Sequence, residues 1–147
     1  MKTKSATGSN VGGFIGEIVA GTVLIEDSYN AAKVTNTEAT SPDKVGGICG
    51  KVAEGASFTI TRCYVSASVT LTKSTSDAAV ADAILASGSA VVTDTYFDKA
   101  AKKTSTGAIK FTSDAWPTWP VGAAWGSIGA YGEGGTTIVY PKLSWEQ

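Results

Sequence analysis

Asp27, Arg62 and Asp94 each stand two residues ahead of a tyrosine, at Tyr29, Tyr64 and Tyr96. Two carboxylates converging in a groove could act as the acid and base of a β-helix glycosidase or lyase. The arginine at the equivalent position between them favours a different chemistry. Asp27, Arg62 and Asp94 then form a charge ladder across neighbouring segments, worth about 0–1 kcal/mol per exposed pair. The chain has no histidine, which excludes histidine catalysis, and no GxSxG elbow. Cys49 and Cys63 are its only cysteines. Two sulfurs without histidine do not make the usual four-ligand zinc site, and their spacing is not a CxxC motif. They read as two buried thiols or as a disulfide, and sequence does not decide between these. No catalytic residue, metal ligand set or cofactor is assigned.

Aromatic residues offer the other chemistry. All four tryptophans lie in the last third of the chain, at Trp116, Trp119, Trp125 and Trp145. Exposed aromatic faces can stack on sugar rings, so Trp116, Trp119, Trp125, Tyr131 and Tyr140 are the candidate ligand-binding residues. The same rings could instead cover the end of a stack of strands, whose open edges must otherwise be protected. In Trp116-Pro117-Thr118-Trp119-Pro120 each proline removes a backbone donor, so neither a regular helix nor a central strand fits.

The elements that position these residues come from a repeat. VGGFIG at Val11 returns as VGGICG at Val45, a step of 34 residues (45 − 11), and Tyr29 returns as Tyr64, a step of 35 (64 − 29). In both copies four residues separate the tyrosine from a Val-Thr pair, Val34-Thr35 and Val69-Thr70. A weaker third copy runs through Ala83-Ile84-Leu85-Ala86 to Tyr96, 32 residues after Tyr64 (96 − 64). Self-similarity at this period marks a solenoid, propeller or array. The apolar residues are β-branched or aromatic and bounded by Gly, Ser, Asn and Asp, the pattern of short strands between turns. A WD-type propeller blade would be longer and would carry its own signature. The expected fold is therefore all-β, a β-solenoid of about three coils with an irregular, aromatic-rich C-terminal cap.

The VGGFIG and VGGICG hexapeptides, each followed by Ser/Cys-Tyr and then Val-Thr, resemble the GLUG repeats of large bacterial surface and secreted proteins. The C-terminal YPKLSWE is similar to the ends of such proteins in Bacteroides-type gut bacteria. The resemblance covers Asn10 to Tyr96 well and the tail loosely. It implies a β-solenoid in a cell-surface or secreted, adhesin-like setting. The function expected on that basis is a non-enzymatic module that binds a glycan or host surface protein through exposed aromatics or loop edges, the alternative being a purely structural spacer or cap of a larger surface protein. The resemblance supplies no catalytic residues.

Within the repeat, Gly12-Gly13 and Gly46-Gly47 are expected where the backbone turns or packs too closely for a side chain. A phosphate loop does not fit, because the Gly-Lys-Ser/Thr ending and the following helix are missing. Ile25, Ile60 and Val92 should align as an aliphatic column in the core, and Tyr29, Tyr64 and Tyr96 as an aromatic one. Asp82 falls at the Gly46 position, so the third copy is expected to turn differently. Residues 1–97 are read as the repeats (about 10–43, 44–79 and 80–97) and 98–147 as the capping segment. Lys73 to Asp77 reads as a loop, Ala78 to Ala86 as strand, Gly126 to Gly135 as a glycine-rich connector, and Thr136 to Tyr140 as the best strand of the tail.

With 12 basic and 13 acidic residues and a net charge of −1, there is no electrostatic case for nucleic acid. Lys99, Lys102, Lys103 and Lys110 read as a solvated face. No run approaches the ~18 apolar residues of a membrane span. Met1 to Ser9 has no signal-peptide core, and Thr7 to Asn10 looks like the tail of an earlier copy, so a secretion signal and further repeats are expected upstream.

Overall fold

The computed structural model describes residues 2–5, 9–39, 44–71, 80–98, 105, 107–132 and 137–147. Among these residues there is no α-helix, and the strands up to Lys110 lie in stacks that bring equivalent segments of the sequence copies together. Four stacks are built in the same way: Asn10–Gly12, Lys44–Gly46 and Val80–Asp82; Ile15–Ile18, Cys49–Val52 and Leu85–Ser87; Thr22–Glu26, Ser57–Thr61 and Val91–Thr93; and Tyr29–Asn30, Tyr64–Val65 and Tyr96–Phe97, with Ile109–Lys110 added to the last. In a fifth stack Val34–Ala39 lies between Lys2–Ser5 and Val69–Leu71. All of these pairings are parallel. The architecture is all-β and solenoid-like.

The register follows the sequence repeat. Tyr64 pairs with both Tyr29 and Tyr96, and Ile60 with both Ile25 and Val92. A strand turns alternate side chains to opposite faces. In Ser57–Thr61, Phe58 and Ile60 point inward and are buried while their neighbours face out. Each fully buried aliphatic side chain of this kind contributes about 1.5–3 kcal/mol. The core runs along the stack through Val11, Val45, Ile48, Ile60, Val65 and Ile84. The run from Val80 forms strand, Val80–Asp82 and Leu85–Ser87, as its alignment with the hexapeptide requires. Lys2–Ser5, read in the sequence only as a polar lead, is also a strand.

Glycine marks the places where one layer meets the next. A Cβ on Gly46 would stand 1.8 Å from the Cys49 carbonyl oxygen and 2.9 Å from that of Ile84 in the layer above. One on Gly12 would meet the Ile15 oxygen at 1.9 Å and the Ile48 oxygen at 2.6 Å. The backbone passes where no side chain fits. Directly after these glycines, two consecutive N–H groups converge on a single carbonyl of the next layer. Phe14 and Ile15 donate to Ile48 (3.0 and 3.1 Å), and Ile48 and Cys49 donate to Ile84 (3.0 and 2.9 Å).

In the third layer the corresponding donors are Ile84 and Leu85, and both bond to the Asp82 Oδ1, at 2.8 and 3.2 Å. The aspartate that replaces glycine thus supplies the oxygen that another layer supplies below. This is the different turn anticipated at Asp82.

The corners before the tyrosines have a shared geometry too. Asp27, Arg62 and Asp94 have φ of 47°, 50° and 45°, the left-handed region that non-glycine residues enter at some cost.

Beyond Lys110 the chain leaves the stack. Trp125–Ser127 pairs antiparallel with Lys142–Leu143, and Ala130–Tyr131 with Ile138–Val139. The presumed connector after Gly126 therefore contains strand, and the tail strand is shorter than the run read from Thr136 to Tyr140. Lys99, Lys102, Lys103, Thr136 and the Lys73–Asp77 loop lie outside the described residues.

Candidate functional site

The aromatic candidates meet the tyrosine column along one side of the stack. Tyr29 and Tyr64 stack almost parallel, with ring centroids 4.9 Å apart and an interplanar angle of 4°, close to the spacing of adjacent strands. Tyr140 stacks on Tyr64 at 5.7 Å and 9°. The ring of Tyr96 lies instead on Phe111, at 5.2 Å and 20°, with Trp119 edge-on at 5.6 Å. The column foreseen for the three tyrosines is thus in register along the backbone, but the tail supplies the ring partners of Tyr96. Phe111 follows directly after Ile109–Lys110, the strand that pairs with Tyr96–Phe97 and carries it there.

Each tryptophan between 116 and 125 uses its indole N–H inside the protein. Trp119 Nε1 donates to the Asp94 carbonyl at 3.0 Å, Trp125 Nε1 to Asp27 Oδ1 at 2.9 Å, and Trp116 Nε1 to the Ile128 carbonyl at 3.0 Å. Trp119 and Trp125 stack on each other at 4.6 Å and are 5% and 1% exposed. Rings covered to that extent have no face for a sugar, which corrects the reading of Trp119 and Trp125 as a ligand platform. Trp116, Tyr131 and Tyr140 are half-buried. Trp116 and Tyr131 meet edge to face at 6.0 Å. The tryptophan that does face solvent is Trp145, 77% exposed.

Hydroxyl groups tie the tail to the stack. Tyr64 donates to the Pro141 carbonyl at 2.9 Å, Tyr140 to Asp98, and Tyr29 to Glu146. Burial is the main cause that raises the phenols of Tyr64 and Tyr140, and the Asp98 carboxylate beside Tyr140 adds to it. The Tyr29 phenol is raised chiefly by its bond to Glu146, whose carboxyl is lowered by the same bond. Sequence reasoning missed Asp98, Phe111 and Glu146. Tyr29 and Glu146 are 117 residues apart, and no periodicity links them.

Asp27 and Arg62 form a forked pair, Nε to Oδ1 at 2.7 Å and an Nη to Oδ2 at 2.7 Å, and the Glu26 carboxylate lies 3.3 Å from the same Nη. The Arg62 guanidinium holds the Asp27 carboxyl below its ordinary range, against the opposing effect of burial. Both oxygens of Asp27 are occupied by Arg62, and one also receives the Trp125 indole N–H. This is the ion-pair reading of the two. Asp94 joins the assembly through its carbonyl, which receives the Trp119 N–H.

Cys49 and Cys63 are both free and buried, and desolvation pushes each thiol up to about 11. Among the described residues no group of three or more Cys, Asp or Glu could hold a metal ion, and no helix is long and apolar enough to cross a membrane. No protein-family profile, no curated protein and no solved structure matches this chain.

Proposed function

We propose that this chain is a structural, non-enzymatic module of a bacterial cell-surface or secreted, adhesin-like protein: a β-solenoid of about three coils (10–43, 44–79, 80–97) with residues 98–147 as an aromatic clamp and cap. The observation that carries the structural role is the use of the tail's aromatic groups. Trp119 and Trp125 are buried and donate to the corner residues Asp94 and Asp27, and the Tyr140 ring stacks on Tyr64. Side chains spent on packing and internal hydrogen bonds serve to hold the stack together. The bacterial surface setting rests on the resemblance of the VGGFIG and VGGICG copies to GLUG repeats.

A glycan-array screen of the purified chain, run with Trp116→Ala and Trp125→Ala variants, tests this reading. A blank array, with Trp125→Ala lowering the unfolding midpoint, is the expected result. A saturable glycan that is lost in a folded Trp116→Ala variant would overturn it. That outcome would favour the second reading, recognition through the half-buried pair of Trp116 and Tyr131, which is supported by their partial exposure.

A further inference from the structure

The two ends of the stack differ chemically. At the far end Asp82 supplies the acceptor oxygen that another layer would bring, and Ser105 Oγ adds a 2.5 Å hydrogen bond to that same oxygen. Ala108 packs against the core there. At the near end Asn10–Gly12, Ile15–Ile18, Thr22–Glu26 and Tyr29–Asn30 are each the last strand of their sheet, as Val80–Asp82, Leu85–Ser87 and Val91–Thr93 are at the far end, so one row of backbone groups in each has no strand partner among the described residues. What differs is that no described residue of the first layer replaces the missing layer as Asp82 does.

The inward side chains at the near end are incompletely covered. Phe14 is 43% exposed, whereas Ile48, its equivalent in the next layer, is fully buried. Ile15, Val23 and Ile25 are half-buried, although their register partners Cys49, Phe58 and Ile60 are buried; Leu85 and Val92 at the far end are half-buried too, but there Ile84, the equivalent of Phe14, is fully covered. Lys2–Ser5 is the exception to the open edge. It pairs in parallel with Val34–Ala39, Lys2 against Thr35 and Thr3 against Asn36, and so occupies the last strand position of a layer below.

We propose that this open edge is a docking surface for one further coil of the same Gly-Gly repeat, continuous with Lys2–Ser5. The inference rests on the solenoid reading above. Its chemistry is specified by the layers already present. Two consecutive N–H groups in the turn of the docking coil donate to the Phe14 carbonyl, as Phe14 and Ile15 donate to Ile48. The docking coil carries glycine in register with Gly12, because the Phe14 carbonyl would stand where the Ile48 oxygen stands against Gly12. A coil with Asp-Ala at that position, like Asp82-Ala83, has its donors already occupied and does not dock. The near edge therefore offers an acceptor for the donors of another turn, whereas at the far end the donors of the third turn are already satisfied by Asp82.

The test is a chain with a copy of residues 44–68 joined ahead of Met1, which places the copy in register with the two layers above. Amide hydrogen exchange is read along Ile15–Ile18 and Thr22–Glu26. Exchange at least tenfold slower than in the 147-residue chain, and lost when the copied glycines are replaced by alanine, is the expected result. Unchanged exchange would overturn the inference, including the case in which the added copy stays unfolded. Sedimentation of the 147-residue chain as a dimer, with these strands protected, would also overturn it by assigning the edge to a second copy. Failure of the solenoid reading is distinguishable, because the original chain would then show no protected core amides at Ile48, Ile60 and Val65.

Discussion

Asp82 is the residue whose role is most sharply determined by its surroundings. Its Oδ1 accepts the Ile84 and Leu85 N–H groups, which in the lower layers would bond to a neighbouring carbonyl. Leaving buried donors unpaired costs about 1–3 kcal/mol. Asp82→Ala should therefore lower stability by that amount, whereas Asp82→Asn, which keeps the acceptor oxygen, should lose less than half of it. Equal losses in urea titrations would mean that the oxygen is not what matters.

The Asp27–Arg62 pair gives a pH dependence of definite sign. Arg62 depresses the Asp27 carboxyl in the folded state, so the pair stabilises fully above the ordinary aspartate value of about 3.9. That stabilisation is lost as pH falls through the folded value. Arg62→Gln is expected to cost about 1 kcal/mol at pH 7 and to flatten the loss of stability below pH 4. Urea midpoints of both chains at pH 7 and pH 3 check this, and parallel losses would refute it. At the alkaline limb the raised phenols and thiols have the opposite sense. Their neutral forms favour folding, so stability declines as pH rises past the ordinary cysteine and tyrosine values of about 8.5 and 10.

At the scale of the element, the glycine pairs carry the stacking. Gly46→Ala would force a methyl group to within 1.8 Å of a backbone oxygen, and backbone cannot rotate away as a side chain can. The expected cost is at least about 3 kcal/mol, or failure to fold. Thermal unfolding measured by far-UV circular dichroism would show it, and a midpoint within a few degrees of the parent would be incompatible with the tight backbone turn at Gly46. The layers are also where sequence was most informative. A repeat of 34 and 35 residues can bury its β-branched faces only by stacking in register, so Tyr29 over Tyr64 and Ile25 over Ile60 followed from spacing alone. The third copy looked degenerate because it had lost its glycines. The structure gives two reasons: a Cβ on Gly47 would meet the Ala83 oxygen of the next layer at 1.9 Å, and no described strand lies above Ala83, while at the Gly46 position Asp82 makes a different turn, its own Oδ1 accepting the Ile84 and Leu85 N–H groups.

At the scale of the whole molecule the tail was the less legible part. Its composition showed that it is aromatic and interrupted by proline, and both a cap and a binding platform follow from that. The choice between them depends on contacts such as Trp125 to Asp27, 98 residues apart, and Tyr140 to Asp98, 42 apart, which no local pattern announces. Lys2–Ser5 was illegible for the related reason that a strand of polar residues carries no alternation to read. In the folded chain the tail runs along the tyrosine column as far as Tyr29, where Glu146 receives the phenol and Trp145 is left in solvent.

On the proposed reading tryptophans 116, 119 and 125, each of which donates its indole N–H inside the protein, are structural parts of one clamp. Iodide quenching of tryptophan fluorescence in a Trp145→Phe chain tests it most directly, because that substitution removes the exposed indole. The remaining emission is expected at the blue end typical of buried indole, with a quenching constant several-fold below that of the same chain in urea. Emission typical of indole in water, quenched as strongly in the folded chain as in the unfolded one, would rule out the clamp and return these rings to the role of an open platform.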